Sequence, residues 1–392
     1  KRLMSAGEGL RMKNNLMAKK LSNKNLHNAN KVKQDEFYTQ LNDIANELMH
    51  YRSQLKNKVI FCNCDDPFES NFFKYFAANF NALKIKKLIA TSYVKSPIVG
   101  GQLPLFEIEG LKPDGKEPYV VEINEVPDLN NDGAVSLDDV EYLLKHNKNV
   151  SRRLHGDEEY SAGDFRSKEC VELLKQADIV VTNPPFSLFR EFVALLIEHN
   201  KDFVIIGNVN AITYKDIFKL IKKNRVWLGS SHRNRGLGMF FAIPDSVNTD
   251  FATRVKDGKI FIGGAVWFTT LDTPNNHEPM TLYKKYTPEE YPKYDNYDAI
   301  EVSRTKYIPV DYGGHMGVPI TFLNSGYNPE QFEIVGLTHR NDPYNLKTKI
   351  YTKRDGNNFN DLNGSPIIKE GNQVRFIYMR IIVKNKKVKK II

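Results

Sequence analysis

The chain has 392 residues, 41% of them hydrophobic and 26% charged, with a formal net charge of +9 and three cysteines, Cys62, Cys64 and Cys170. That content can bury a large core, and so few cysteines exclude a disulfide framework and point to a reducing compartment. No run of about 18 apolar residues is present to cross a bilayer and the basic start lacks an apolar signal-peptide core, so a soluble, cytoplasmic protein without membrane contact is expected, its positive balance favouring a polyanion.

Residues 1–34 carry nine Lys and Arg against one acid, Glu8. They read as a mobile basic arm or, alternatively, as a solvated tail without a partner. Residues 58–62 then read as a strand, 70–83 as a helix and 87–93 as a second strand. Cys62-x-Cys64 lacks a second ligand pair at metal-site spacing, and both are expected to be small buried residues at the strand end.

The alternation is interrupted over about 95–160. Within that insertion, Asp128, Asn130, Asp132, Ser136 and Asp139 stand at positions 1, 3, 5, 9 and 12 of an EF-hand-like loop. Gly133 is at position 6, and Ala134 would offer its carbonyl at position 7. The spacing predicts a calcium site, closer to the dockerin version because the last ligand is Asp, that would stiffen an insertion between two strands. The other reading is a plain acidic turn capping a helix.

From residue 168 the alternation resumes, with a helix over 168–177, a strand over 178–182, a helix over 187–200, a strand over 202–207 and a helix over 213–224. This order predicts an α/β fold with a mostly parallel sheet and helices on both faces. Ligands bind such sheets at the carboxyl ends of the strands, which here are 62–67, the residues from 92 onward, 183–186 and 207–210.

One of those ends carries Asn183-Pro184-Pro185-Phe186. An exocyclic amine of a nucleobase is a poor nucleophile because its lone pair is delocalised into the ring. Asn183 Oδ1 and the Pro184 carbonyl could accept its N–H groups and favour a pyramidal nitrogen. Two prolines remove donors and fix φ, which holds a carbonyl outward. Phe186 would offer a flat face on which an extruded base can stack. A helix cap followed by proline would read the same way locally.

Past residue 228 the pattern fades into turns, aromatics and short strand-like pieces at 238–244, 259–269, 317–323 and 374–383. A basic loop spans 230–236 and holds Arg233, Asn234 and Arg235. Arg reads guanine and Asn reads adenine through paired hydrogen bonds, so these three are candidate DNA contacts. Arginines of a solvated loop that pair with acids or phosphates are the alternative. The C-terminus is basic again, with Arg380, Lys384, Lys386, Lys387, Lys389 and Lys390.

Taken together, the blocks Asp35-Glu36-Phe37-Tyr38-Thr39-Gln40, Cys62-Asn63-Cys64-Asp65-Asp66-Pro67, Gly163-Asp164-Phe165-Arg166 and Asn183-Pro184-Pro185-Phe186 resemble the EcoRI-type adenine-specific DNA methyltransferase family. Ile205-Ile206-Gly207-Asn208 and, further on, Met316-Gly317-Val318-Pro319 add to the resemblance, which covers most of 35–330. It implies a Rossmann-like class I methyltransferase domain over 35–228, after the basic arm of 1–34, and a smaller mixed α+β target-recognition lobe over 229–392. It further implies S-adenosylmethionine as cofactor, double-stranded DNA as partner, a flipped-out adenine methylated at N6 in a GAATTC-like sequence, and 183–186 as the catalytic residues. A cognate restriction endonuclease is the partner such enzymes suggest, and a monomer in the bacterial or phage-infected cytoplasm, associated with the nucleoid, is expected.

On the same resemblance, Tyr38 and Thr39 meet the methionine end of the cofactor. Cys62, Asn63, Asp65, Asp66 and Pro67 replace the usual glycine-rich turn, with Asp65 or Asp66 accepting from ammonium or ribose. Asp164 accepts from the cofactor's adenine amine, and Phe165 lies against that ring. Two rival functions remain open at this point: methylation of RNA or a protein glutamine, and a catalytically silent DNA-binding module.

Overall fold

The computed structural model describes residues 38–64, 70–93, 118–128, 139, 142–143, 151–233, 237–242, 254–256, 259–356, 358–371 and 373–388. The first half supplies β1 (Tyr38–Thr39), α1 (Leu41–Leu48), β2 (Val59–Cys62), α2 (Asn71–Ala78), β3 (Lys87–Thr91), β4 (Tyr119–Ile123), β5 (Ser151–Arg153), α3 (Lys168–Gln176), β6 (Ile179–Thr182) and α4 (Phe189–Glu198). The second half supplies β7 (Asp202–Asn208), α5 (Lys215–Lys222), β8 (Trp227–Leu228), β9 (Met239–Ala242), β10 (Val255–Lys256), β11 (Lys259–Ile262), β12 (Ala265–Thr269), β13 (Ile300–Glu301), β14 (His315–Pro319), β15 (Phe332–Leu337), β16 (Ile367–Glu370), β17 (Gln373–Phe376) and β18 (Arg380–Asn385).

An eight-stranded sheet ordered β5-β4-β3-β2-β6-β7-β12-β8 organises the molecule. Its four central strands run parallel, and every pairing outside them is antiparallel. Strands covered on both faces read as unbroken apolar runs, because successive side chains point to opposite sides. Phe61, Val180, Phe203 and Ile205 face one cluster with Leu173, Phe192 and Phe218 from α3, α4 and α5. Ile60, Cys62, Val181, Val204 and Ile206 face the other, with Ile44 and Leu48 of α1 and Phe72, Phe73 and Phe76 of α2. Helices on both faces follow from that alternation.

Three expectations change in detail. The helix expected over 70–83 breaks at Asn79, whose Nδ2 bonds back to the Tyr75 carbonyl at 2.8 Å and competes with the helical ladder. The insertion at 95–160 adds β4 and β5 to one edge of the central sheet, and the expected calcium loop falls between them in the sequence. The division expected at 228/229 cuts across the sheet. β12 pairs with β7 along its whole length, and β8 lies beyond it, because the apolar Ala-Val-Trp-Phe-Thr strand is buried only there.

Two smaller assemblies complete the fold. β1, β9, β11 and β10 form a four-stranded sheet that caps the α1 and α2 side. β13, β14, β18 and β15 form another, beside the β16–β17 hairpin. The latter assembly docks on α5, where Lys222 Nζ donates to the Val335 carbonyl at 2.6 Å, Tyr327 Oη donates to Asn224 Oδ1 at 2.8 Å, and Phe218 meets Tyr344. Its buried Val302, Met316, Val318 and Phe322 continue the first apolar cluster without a gap.

Candidate active site at the switch point of the sheet

After β2 the chain moves to β3 on one side, and after β6 it moves to β7 on the other. A crevice opens where the connections diverge, and open α/β sheets bind ligands at this point. Parallel pairing of Ile60 with Ile179 and Phe61 with Val180 carries Asn63 to the level of Thr182, the residue before Asn183, at its mouth.

Asn63 is 1% exposed and joins three strand ends. Its carbonyl accepts from Thr182 Oγ1, and its Oδ1 accepts from Thr91 Oγ1 at 3.0 Å. Its Nδ2 is enclosed and has no hydrogen-bond partner among the described residues. A buried donor left this way costs about 1–3 kcal/mol, which a ligand acceptor in the crevice would offset. Cys64 follows at φ 68°, the left-handed region that glycine prefers. The chain therefore begins its turn at the strand end without a glycine. Cys62 is buried, as expected, whereas Cys64 is half-buried. Asp65, Asp66 and Pro67 lie outside the described residues.

The N-terminal motif reaches the same neighbourhood. β1 pairs with β9, Tyr38 opposite Ala242 and Thr39 opposite Phe241, and the Thr39 carbonyl accepts from Asn71 Nδ2 at 2.7 Å. That bond ties the motif to the first turn of α2, the helix that follows the 62–67 turn. Thr39 Oγ1 is a second enclosed polar atom without a partner among the described residues. Two orphaned groups, one hydroxyl and one amide N–H, fit the carboxylate, ammonium and ring nitrogens of an S-adenosylmethionine-like molecule.

At the end of β6, Asn183 is 7% exposed. Pro184 is buried, Pro185 and Phe186 are half-buried, and Phe186 begins a short 3-10 turn against the α1–α2 cluster. The Pro185 carbonyl accepts from Leu188 N at 3.0 Å, whereas among the described residues no bond takes that of Pro184. Behind the turn, Phe189 lies beneath Gly207 of β7, so close that a Cβ on Gly207 would stand 2.4 Å from the ring.

The third loop is held against β3. Gly163, at φ 77°, packs on the Ser92 carbonyl, where a Cβ would stand 2.0 Å away. Asp164 is buried, and Arg166 takes both its oxygens, Nε on Oδ1 at 3.0 Å and Nη2 on Oδ2 at 2.9 Å, while Nη1 reaches Glu191 of α4 at 2.9 Å. Phe165 lies next to Asp164 in the chain and turns inward. It is 2% exposed and packs edge-on against Phe192 with centroids 5.0 Å apart. Burial pushes the nearby Cys170 thiol up to about 11, which keeps it protonated and unreactive.

The basic loop also differs from its expected form. Arg233 Nη1 donates to the Asn275 carbonyl, and Nη2 lies 3.8 Å from Glu278, so this guanidinium is engaged within the protein. Asn234 and Arg235 lie outside the described residues. Sequence reasoning missed Glu47, a fully buried carboxylate of α1 that accepts from Ser230 N and Ser231 N, both at 2.8 Å, and from Tyr51 Oη at 2.6 Å. An acid at a core-facing helical position, four residues before a tyrosine, was its only signal.

Calcium finds no support. Among the described residues no group of three or more His, Cys, Asp or Glu could hold a metal ion. Of the loop only Asp128 and the buried Asp139 are described; Asn130, Asp132, Ala134 and Ser136 lie outside. No helix among the described residues is long and apolar enough to cross a membrane.

The family model for the EcoRI adenine-specific methyltransferase matches residues 25–386. The chain belongs to this family. The type II methyltransferase M.EcoRI of Escherichia coli is 42% identical over 388 residues, which cover 95% of this chain and 100% of that protein. M.MpnI of Mycoplasma pneumoniae is 37% identical across 91% of this chain and 97% of its own length, and M.MgeORF184P of Mycoplasma genitalium is 36% identical across 92% and 98%. No solved structure matches. Membership decides the substrate left open above, adenine rather than glutamine, and makes the protein an enzyme rather than a silent binding module.

Proposed function

We propose that this adenine-specific DNA methyltransferase takes its methyl group from S-adenosylmethionine and places it on N6 of an adenine turned out of the duplex, within a GAATTC-like sequence. The observation that carries the reading is the meeting of Asn63, Thr182, Asn183 and Pro184 at the switch point, with an enclosed Asn63 N–H and an open Pro184 carbonyl. Thr39 and Asn63 would hold the cofactor, which supplies a methyl group already electrophilic on its sulfonium. Asn183 Oδ1 and the Pro184 carbonyl hold the two N6 hydrogens, so that the nitrogen lone pair turns out of the base plane toward the methyl carbon. Phe186 supports the base by stacking, and Gly207 lets Phe189 seat the turn. Positioning of this kind supplies much of the acceleration in a two-partner transfer.

Asn183→Ala and Phe186→Ala are therefore expected to retain cofactor binding and to lower kcat by about two or more orders of magnitude, since both act on orientation in the transition state. Turnover of either variant at the wild-type rate would remove these residues from the chemistry. DNA from cells expressing the protein is expected to resist an endonuclease that cuts GAATTC, and sequencing of its modified bases reads the position directly.

A further inference from the structure

A cavity of about 480 Å3 opens beside α1. None of residues 183–186, and neither Cys62 nor Asn63, lines it. One wall is polar: Gln40, which precedes α1, then Asn42, Asp43 and Asn46 from the helix. The facing wall is aromatic. Phe240 of β9 and Phe261 of β11 lie with centroids 5.1 Å apart, and Arg254 stands 5.2 Å over the Phe261 ring. Lys256 and Lys259 are on the rim, and Trp267 of β12 also lines the space. The Trp267 indole N–H is fully enclosed and has no hydrogen-bond partner among the described residues.

The remaining wall, Ser231 and His232, is the start of the basic loop. Glu47 clamps that start by taking the backbone N–H groups of Ser230 and Ser231, and Gly229 lets the backbone approach, since a Cβ there would stand 2.5 Å from Glu47 Oε1. Glu47 thus fixes this wall of the cavity. Its chemistry is that of a nucleotide site. Carboxamides pair with both the donors and the acceptors of a base edge, aromatic faces accept a stacked base, and lysines at the rim meet a phosphate. Burial raises the Asp43 carboxyl above the usual range, against the pull of His232 and Lys259.

We propose that this cavity takes up a nucleotide of the DNA substrate other than the methylated adenine, its base between the α1 amides and Phe240 and Phe261, and its phosphate on Lys256 and Lys259. The inference rests on the DNA substrate that family membership brings, and not on the roles of residues 183–186. Failure of the two readings is distinguishable, because methylation by the wild-type protein is measured on the same DNA.

The test uses linear plasmid DNA that the wild-type protein methylates. Lys256 is exposed on a short strand, so Lys256→Ala should fold. It is expected to weaken DNA binding several-fold and to lower the slope of log K against log salt by about 1, the signature of one lost phosphate contact. Its affinity for S-adenosylmethionine is expected to stay unchanged. The chain has two tryptophans, so Trp227→Phe leaves Trp267 as the sole indole, whose emission is expected to shift when DNA saturates the protein. An unchanged salt slope for Lys256→Ala, or Trp267 emission indifferent to saturating DNA, would overturn the proposal.

Discussion

Asn63 shows how one side chain can tie strands together and still have a group to spare. Thr182 and Thr91 take up its carbonyl and Oδ1, and its Nδ2 is enclosed in the crevice without a partner among the described residues. Asn63→Asp keeps the shape and the Thr91 contact but exchanges that donor for an acceptor. It is expected to weaken S-adenosylmethionine binding about tenfold or more, which corresponds to about 1.4 kcal/mol. Equilibrium binding of the cofactor checks this, and an unaltered affinity would leave Asn63 a purely structural tie. Its neighbour Cys64 holds a left-handed φ of 68°, a conformation that costs a side-chain-bearing residue about 1–2 kcal/mol. The absence of a glycine from this turn thus does not mean the absence of the turn.

Among elements, the seat of α4 on β7 matters most to the site, because α4 begins directly after the Asn183-Pro184-Pro185-Phe186 turn. Phe189 fills the space beneath Gly207 and leans on Phe268 of β12 at 5.1 Å. Gly207→Ala drives a methyl group into a ring that is 2% exposed and has nowhere to move. A loss of about 1–3 kcal/mol in unfolding free energy is expected from such overpacking, with a fall in kcat because the turn moves with the helix. Urea unfolding beside a methylation assay reads both. A variant as stable and as active as the wild type would show that the helix does not set the turn.

At the scale of the whole molecule, the loop-rich second assembly has its own electrostatic tie. Burial opposes ionisation of Asp295, but hydrogen bonds from Tyr351, Lys349 and Lys369 outweigh it and hold the carboxyl down at about 2. A carboxyl depressed on folding adds stability above its unfolded value near 4, and that stability is lost as pH falls through about 2. Its partial exposure reduces the effect to the order of 1 kcal/mol. The difference in unfolding free energy between the wild type and Asp295→Asn is therefore expected to be full at pH 6 and to shrink between pH 4 and 2. A gap constant across that range would mean that the ion pairs contribute nothing there.

Sequence alone determined the parallel centre of the sheet, the helices on both faces and the position of 183–186 at a strand's carboxyl end. Those features follow from local periodicity and from proline chemistry, which act over a few residues. The edges of the sheet were not legible, since β4 and β12 are short apolar runs and β5 is the polar Ser-Arg-Arg, and the placement of each depends on which edge of the sheet remains to be covered. The same holds for contacts that need the assembled molecule. Phe165 is packed on Phe192, Arg233 is held by Asn275 and Glu278, and Glu47, to which sequence alone assigned no role, accepts from the backbone of Ser230 and Ser231. Burial, and the obligation of every buried polar group to find a partner, are properties of the folded whole and decided each of these.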